Sequence, residues 1–254
     1  MGLTKVALHL ARTCGPMEKD TIYSLPLARV GDFRFDEQVV KVFPDMIARS
    51  VPGYGSILSM IGELAERYVQ PASAIYDLGC SLGACTSVVR ERVPADCRIV
   101  AVDSSEPMLE GMRSRLSPSG CPVELICGDI RGVEVSECSL AVLNFTLQFI
   151  PPKEREAVLS QVYRGTLPGG ALVLSEKVRF SEAVSQELLT DLHHSFKRAN
   201  GYSDMEIAQK RQALENTLIP ETLEDHLSRL RRVGYSQAVC WFQCFNFVSI
   251  LALK

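Results

Sequence analysis

Residues 74–83, with the sequence AIYDLGCSLG, decide the predicted fold. The apolar start is typical of a buried strand, and the glycines that follow indicate a tight loop leading into a helix. Because Gly79 and Gly83 lack a Cβ atom, a ligand and the next helix can approach the loop backbone closely. We expect the loop amides and the helix N-terminus to face one polar ligand. The spacing Gly-x-x-x-Gly differs from the Gly-x-Gly-x-x-Gly of dinucleotide-binding loops.

The composition indicates one globular domain. The chain has 254 residues, of which 46% are hydrophobic and 22% charged, and no apolar run reaches the length of a membrane span. We expect a flexible tail over residues 1–19 and a single α/β domain over residues 20–254. The net charge of −3 argues against a broad nucleic-acid-binding surface.

The nine cysteines do not form a disulfide or metal pattern. Their number is odd, they include no Cys-x-x-Cys, and several fall in predicted buried strands, so they are typical of a reducing, cytoplasmic compartment. Cys240 and Cys244 lie on one predicted strand, and no histidine pair supplies the other ligands of a zinc site. We therefore expect no metal.

Apolar strands alternate with helical segments through the middle of the chain. Strands are predicted at residues 74–78, 98–103, 123–127, 139–144 and 170–176. Continuous apolar strands separated by helices indicate a mostly parallel, Rossmann-like sheet covered on both faces. A C-terminal antiparallel hairpin is predicted at residues 238–244 and 247–253. Before the first strand, an N-terminal helical arm is predicted with helices at residues 36–42, 44–50 and 57–68, the first two separated at Pro44.

Polar residues follow the ends of four consecutive strands. They are Asp77 with the loop after it, then Asp103, Asp129 and Asn144. In open parallel sheets, ligands bind at the carboxyl ends of the strands. The Asp103 carboxylate can accept hydrogen bonds from both hydroxyls of a ribose. The Asp129 carboxylate can accept a hydrogen bond from an adenine amine. A single aspartate is more often a helix cap, but four such positions together favour a nucleoside site.

Two additional helices are predicted after the fifth strand, within an insertion over about residues 181–218. The second begins at the capping box Ser203-x-x-Glu206. At 100° per residue, Arg211 falls inside the apolar stripe of that helix, so its guanidinium is expected to point inward. An inward charge needs an anionic partner, either an acid of the core or the carboxylate of a ligand. Both alternatives remain open from the residues alone.

The other charged residues of the insertion indicate an ordinary solvated surface. His193 and His194 diverge by 100° on one helix, which favours one surface histidine and one packing histidine over a shared ligand site. Lys197 and Lys210 are interspersed with acids, so the segment does not form an RNA-binding stripe.

Longer motifs resemble one family. Asp77-x-Gly79-x-x-x-Gly83 resembles the cofactor loop of class I S-adenosylmethionine (SAM) methyltransferases. Segments spread over residues 20–254 resemble the carboxy-S-adenosyl-L-methionine (carboxy-SAM) synthases far more specifically. These segments are FDEQVVKVFPDMIARSVPGY (35–54), YDLGCSLGA (76–84), VLNFTLQF (142–149), PGGALVLSEK (168–177), HHSFKRANGYSDMEI (193–207) and WFQCFNF (241–247).

The resemblance implies a transferase that does not transfer a methyl group. Members of the family join SAM and prephenate to give carboxy-SAM, phenylpyruvate and water. A separate tRNA carboxymethyltransferase then uses the product to modify the wobble uridine. The family pairs as homodimers, and direct nucleic-acid or membrane binding is not expected.

The resemblance also assigns site residues. Arg211 would bind the new carboxylate and act in catalysis. The residues that would hold SAM are Tyr54, Gly79, Cys80, Ser81, Asp103, Ser104, Asp129, Ile130 and Asn144.

Three other functions are compatible with parts of the pattern. An ordinary SAM-dependent methyltransferase would share the cofactor site but would not need Arg211. A nicotinamide oxidoreductase is disfavoured by the glycine spacing. A SAM-binding interaction protein would bind SAM without turnover.

Overall fold

The computed structural model describes residues 18–254, so residues 1–17 of the expected tail lie outside the described part. Within it, seven strands form one sheet in the order β3-β2-β1-β4-β5-β7-β6. The strands are β1 (Ala74–Leu78), β2 (Arg98–Asp103), β3 (Val123–Cys127), β4 (Cys138–Asn144), β5 (Thr166–Lys177), β6 (Gln237–Cys244) and β7 (Phe247–Leu253).

Eight α-helices accompany this sheet in the described residues, with short 3-10 turns at Ile130–Gly132 and Leu147–Phe149. None of these helices combines the length and the apolar character needed to cross a membrane. The helices are α1 (Glu37–Ser50), α2 (Tyr54–Tyr68), α3 (Ala84–Arg90), α4 (Glu106–Arg113), α5 (Pro152–Gly165), α6 (Ala183–Ala199), α7 (Asp204–Leu214) and α8 (Leu223–Val233).

The strand directions confirm the predicted mixed sheet. β1 pairs in parallel with β2 and β4, whereas β7 runs antiparallel to β5 and β6. Because side chains alternate along a strand, β5 contributes Leu172 and Leu174 to one core and Ala171 and Val173 to the other. The sheet is therefore covered on both faces, and the parallel strands end together at one edge.

Two helices differ from the prediction. The expected break at Pro44 is wrong, because α1 runs unbroken from Glu37 to Ser50 with Pro44 inside it. A proline removes one helical hydrogen bond, and here Val42 and Met46 on either side of it are buried in one core. α8 was not predicted, although the capping box formed by Thr222 and Asp225 marks its start.

A buried ionic cluster joins the chain before α1 to the insertion. Tyr202 donates to the carboxylate of Asp20, and the Lys210 ammonium lies 3.5 Å from the same oxygen. Arg49 donates to the backbone carbonyl of Asp20 at 3.3 Å and pairs with Asp45 at 3.0 Å. The N-terminal segment, the end of α1 and α7 are thus held together around Asp20.

Candidate active site

A cavity of about 930 Å³ lies at the carboxyl ends of the parallel strands. This is the edge at which open parallel sheets bind their ligands. Arg211 is absent from the lining. All nine of the other predicted site residues line the cavity: Tyr54, Gly79, Cys80, Ser81, Asp103, Ser104, Asp129, Ile130 and Asn144.

The loop after β1 needs glycine for backbone reasons. Gly79 has a φ of +84°, and a Cβ there would lie 2.2 Å from Oγ1 of Thr146. The amides of Gly79 and Cys80 both donate to the carbonyl of Val102, and the amide of Gly83 donates to the carbonyl of Cys80. These amides are therefore not free to face a ligand, in contrast to the expectation from the sequence.

Asp103 connects the ends of β1 and β2. Its carboxylate accepts from the Ser81 amide at 2.8 Å and from the Ser105 amide at 2.9 Å. Burial raises the pKa of this carboxyl, and the backbone hydrogen bonds oppose that rise. A carboxylate oriented in this way on the cavity wall can still accept from further donors, such as the hydroxyls of a ribose.

Asp77 has a supporting position. It is buried, and one of its oxygens accepts from the Thr86 hydroxyl at 2.6 Å and from the Thr86 amide at 3.0 Å. Burial raises its pKa to about 6. Asp77 is not among the lining residues, so the alternative of a helix cap is the correct one for this aspartate.

Asp129 is already paired. Its carboxylate accepts from the backbone amide of Arg131 at 2.9 Å and from Nε of the same arginine. The guanidinium of Arg131 lowers the pKa of Asp129 and also pairs with Glu154. Any ligand amine at Asp129 would thus share the carboxylate with Arg131.

Asn144, at the end of β4, offers a free acceptor. Its Oδ1 is buried and has no hydrogen-bond partner among residues 18–254. A buried polar atom without a partner is costly, so this oxygen is available to accept a hydrogen bond from a ligand donor. The next residue, Phe145, has a φ of +63°, an uncommon value for a bulky side chain. The backbone is therefore strained beside the free acceptor, as is frequent at functional sites.

Aromatic rings from the N-terminal arm cover another part of the cavity. The Phe35 ring contacts those of Phe33 and Phe149, with centroids 5.1 and 5.5 Å away. The Ser105 hydroxyl donates to the carbonyl of Phe35 at 2.6 Å, which fixes the arm to the start of α4. These rings form an aromatic wall of the cavity that sequence analysis did not identify.

The sequence has close counterparts among curated proteins. The chain is 55% identical over 239 residues to the carboxy-S-adenosyl-L-methionine synthase of Salmonella paratyphi C, covering 93% of this chain and 97% of that protein. The same identity and coverage apply to the protein of that name from Klebsiella pneumoniae subsp. pneumoniae. The chain belongs to the carboxy-SAM synthase family. A family profile described as a methyltransferase domain also matches residues 75–170.

Solved structures support the fold of this carboxy-SAM synthase family member. Human N-acetylserotonin methyltransferase, in complex with SAM, superposes with a TM-score of 0.57 at 16% identity, covering 100% of this chain and 67% of that one. Magnesium protoporphyrin IX methyltransferase from Synechocystis PCC 6803 gives 0.53 at 14%, covering 88% and 86%. The fold is that of class I SAM-dependent methyltransferases, and the chain is a SAM-using transferase. Residues 18–254 contain no cluster of three metal-ligating side chains.

The expected inward position of Arg211 in this family member is wrong for the single chain. Its side chain is exposed, and α7 buries the neighbouring Lys210 instead. The reason is tertiary: Gln209 accepts from the Leu27 amide and donates to the carbonyls of Tyr23 and Leu25, so the arm covers that flank of α7. The charge of Arg211 nevertheless acts on the cavity. The pKa of Lys177, a lining residue, is lowered first by the burial of Lys177 and second by the Arg211 guanidinium.

A basic end of the cavity was missed by the sequence analysis. Lys177, His193, Lys197 and Lys210 all line it. Burial, followed by the charges of Lys177 and Lys210, lowers the pKa of Lys197 to about 7. Burial lowers the pKa of Lys210 to about 8, although Asp20 opposes the shift.

His193 contributes packing and a hydrogen bond. Its Nε2 donates to the carbonyl of Ser50 at 2.8 Å, and its ring lies 4.9 Å from that of Phe247. Burial lowers its pKa to about 3, so the ring is neutral near pH 7. The interpretation of one packing histidine is confirmed for His193, while its neighbour His194 is half-buried.

Proposed function

We propose that this chain joins SAM and prephenate to give carboxy-SAM, phenylpyruvate and water. The sulfonium acidifies its methyl group, which loses a proton and becomes an ylide. Prephenate loses carbon dioxide and hydroxide as its ring becomes aromatic. The ylide carbon attacks the carbon dioxide, forming the new carbon–carbon bond of carboxy-SAM. The released hydroxide and the methyl proton combine as water, so atoms and charges balance.

In this scheme the chain supplies position and exclusion of water. The described residues that line the cavity offer no clear general base at the methyl group, so the departing hydroxide takes the proton. Holding the two substrates together converts capture of carbon dioxide into an intramolecular step. An aromatic cover such as that around Phe35 would keep the carbon dioxide and the ylide away from solvent.

One observation carries this proposal: the cavity that contains the nucleoside-binding positions also has a basic end, where Lys177 and Lys197 have no acidic partner within residues 18–254. Asn144, with its free acceptor, and Asp103 would hold SAM, together with the other predicted lining residues. The side chains of Lys177 and Lys197 favour an anionic second substrate. A simple methyl acceptor would not require these cations, so the arrangement supports the carboxylation over ordinary methyl transfer.

The test is incubation of the purified protein with SAM and prephenate. We expect a nucleoside product heavier than SAM by one carbon dioxide, with phenylpyruvate formed in equal amount. Release of S-adenosylhomocysteine with a methylated acceptor would instead identify an ordinary methyltransferase. Tight SAM binding without any product would identify a binding protein.

We further propose that Arg211 binds the new carboxylate. Its guanidinium suits a bidentate carboxylate contact, and its charge acts on Lys177 in the cavity wall. Arg211→Ala should abolish formation of carboxy-SAM, while SAM affinity and thermal stability stay close to those of the wild type. Unchanged turnover would remove Arg211 from this role. Arg211→Lys, which keeps the charge and loses the fork, should recover only part of the activity.

We also propose that the protein is a cytoplasmic homodimer. Its product would supply a tRNA carboxymethyltransferase with the carboxymethyl donor. Support for the dimer comes from α6, on which Val184, Leu188 and Leu192 recur every four residues and are 72%, 56% and 40% exposed. Such an apolar stripe is typical of a protein interface. Leu188→Glu should give a monomer in sedimentation analysis, and a wild-type monomer would refute the proposal.

A further inference from the structure

The basic end of the cavity contains two cations without partners. The Lys177 and Lys197 ammonium groups form no hydrogen bond or ion pair within residues 18–254. Lys210 differs, because its ammonium is bonded to the Ser50 hydroxyl at 3.0 Å and lies near Asp20. The next acid along β5, Glu176, does not compensate Lys177, since adjacent strand residues face opposite sides and Glu176 lies near Arg155.

Aromatic rings line the same cavity as these cations. Phe247 pairs with Lys177 in the antiparallel register of β7 and β5. The centroid of the Phe247 ring lies 4.9 Å from that of His193 and 5.9 Å from that of Phe145. Phe145 in turn faces Tyr54 at 6.4 Å. A series of ring contacts therefore runs from Tyr54 to the strand position beside Lys177, and all of these residues line the cavity. Ring edges and faces on a cavity wall suit the six-membered ring of a ligand, and the cations suit an anionic tail.

We propose that Lys177 and Lys197 bind the carboxylate of the second substrate that is kept in the product, while its ring lies against Phe145 and Phe247. The assignment rests on the proposed function, in which prephenate has two carboxylates. One leaves as carbon dioxide, and a strong cation bound to it would stabilise the substrate against that loss. The other, on the pyruvyl side chain, is unchanged by the reaction and can be held tightly throughout.

Burial strengthens this assignment. Lys197 is 8% exposed, and an isolated buried ammonium is costly unless an anion accompanies it. A carboxylate between the two lysines would offset the cost and favour the protonated form of both. At this end of the cavity, His193 is neutral and the Lys210 ammonium lies 3.5 Å from Asp20. Lys177 and Lys197 are therefore the cations there that have no partner within residues 18–254.

The experiment uses Lys177→Met and Lys197→Met, with Lys153→Met as a control at an exposed position of α5. Loss of a charged hydrogen bond predicts a rise in KM for prephenate of about tenfold or more in each lysine variant. The affinity for SAM should change less than about twofold, and the control should match the wild type. Lys197→Arg, which retains the charge, should recover most of the prephenate affinity.

Phenylpyruvate identifies which carboxylate is bound, because it retains only the side-chain carboxylate. It should compete with prephenate in the wild type, and this competition should be lost in Lys177→Met and Lys197→Met. Variants that fold and bind SAM but keep wild-type prephenate KM and phenylpyruvate inhibition would overturn the inference. Equal inhibition by inorganic phosphate would overturn it too, since it would show an unselective anion site.

Calorimetry with S-adenosylhomocysteine separates this inference from the proposed function, because that nucleoside lacks the reacting methyl group. If the wild type makes no carboxy-SAM yet binds prephenate and phenylpyruvate through the two lysines, the reaction is wrong and the subsite is correct. If carboxy-SAM forms and the lysine variants are unaffected, the reaction is correct and the subsite is wrong. Absence of prephenate binding to the wild-type complex would refute the subsite.

Discussion

Lys197→Met is expected to make the protein more stable, although it weakens binding of the second substrate. Lys197 has no partner and is buried at the end of the cavity, where its pKa falls from 10.5 to about 7. Lys197 therefore binds its proton less tightly in the folded state than in the unfolded state. At about 1.4 kcal/mol for each pKa unit, this difference costs the folded state up to about 4 kcal/mol at neutral pH. Methionine has a similar length and no charge, so it removes this cost.

The pH dependence distinguishes this effect from a simple gain in packing. Between the folded and the unfolded pKa, the unfolded state binds more protons, so the free energy of unfolding contributed by Lys197 rises with pH. The advantage of Lys197→Met should therefore shrink from about 4 kcal/mol at neutral pH to about 2 kcal/mol near pH 9. A gain from packing alone would be the same at both values.

The assay is urea denaturation of both proteins without ligand at the two pH values, followed by circular dichroism. Lys153→Met serves as the control and should change stability by less than about 0.5 kcal/mol. A variant that is less stable than the wild type, or a difference that is independent of pH, would refute the view that an unpaired ammonium is buried at this position.

Two further predictions concern the loop after β1 and a buried histidine. Gly79→Ala introduces a Cβ at a φ of +84° and 2.2 Å from Thr146, so it should cost at least about 1–2 kcal/mol and abolish SAM binding by calorimetry. Gly31→Ala, with open space around it, should change neither quantity. His226 is buried with both ring nitrogens unpaired in the described chain, and burial lowers its pKa to about 4. Because the unfolded histidine takes up its proton first as pH falls, stability should drop by up to about 3 kcal/mol between about pH 6.5 and 4, and His226→Leu should remove that part of the acid sensitivity in denaturation curves.

Local signals in the sequence were sufficient for most of the sheet. All five residues of β1 are buried, so its apolar run had the predicted bounds, and the Ser203 capping box marked the start of α7 correctly. These signals depend on neighbouring residues only. Pro44 misled the prediction because its cost is compensated by contacts with residues distant in sequence.

The basic end of the site could not be found in the same way. Periodicity placed Arg211 inside the apolar stripe of α7 and Lys210 100° away from it, and it cannot say which flank of the helix the rest of the protein covers. The arm decides this by bonding to Gln209, which is 182 residues from Leu27. Charged residues on helices usually face solvent, so Lys197 gave no sign of its burial until the tertiary structure placed it beside the cavity.

The ionic cluster around Asp20 has a consequence for the order in which the molecule assembles. Asp20 and Lys210 are 190 residues apart, so this contact closes only after nearly the whole chain has been synthesised. We therefore expect the cavity to become enclosed late in folding, after the sheet has already formed. In Asp20→Ala, native-state hydrogen exchange should quicken in α7 while β1 and β4 remain protected, and uniform acceleration throughout would show instead that the whole domain opens as one unit.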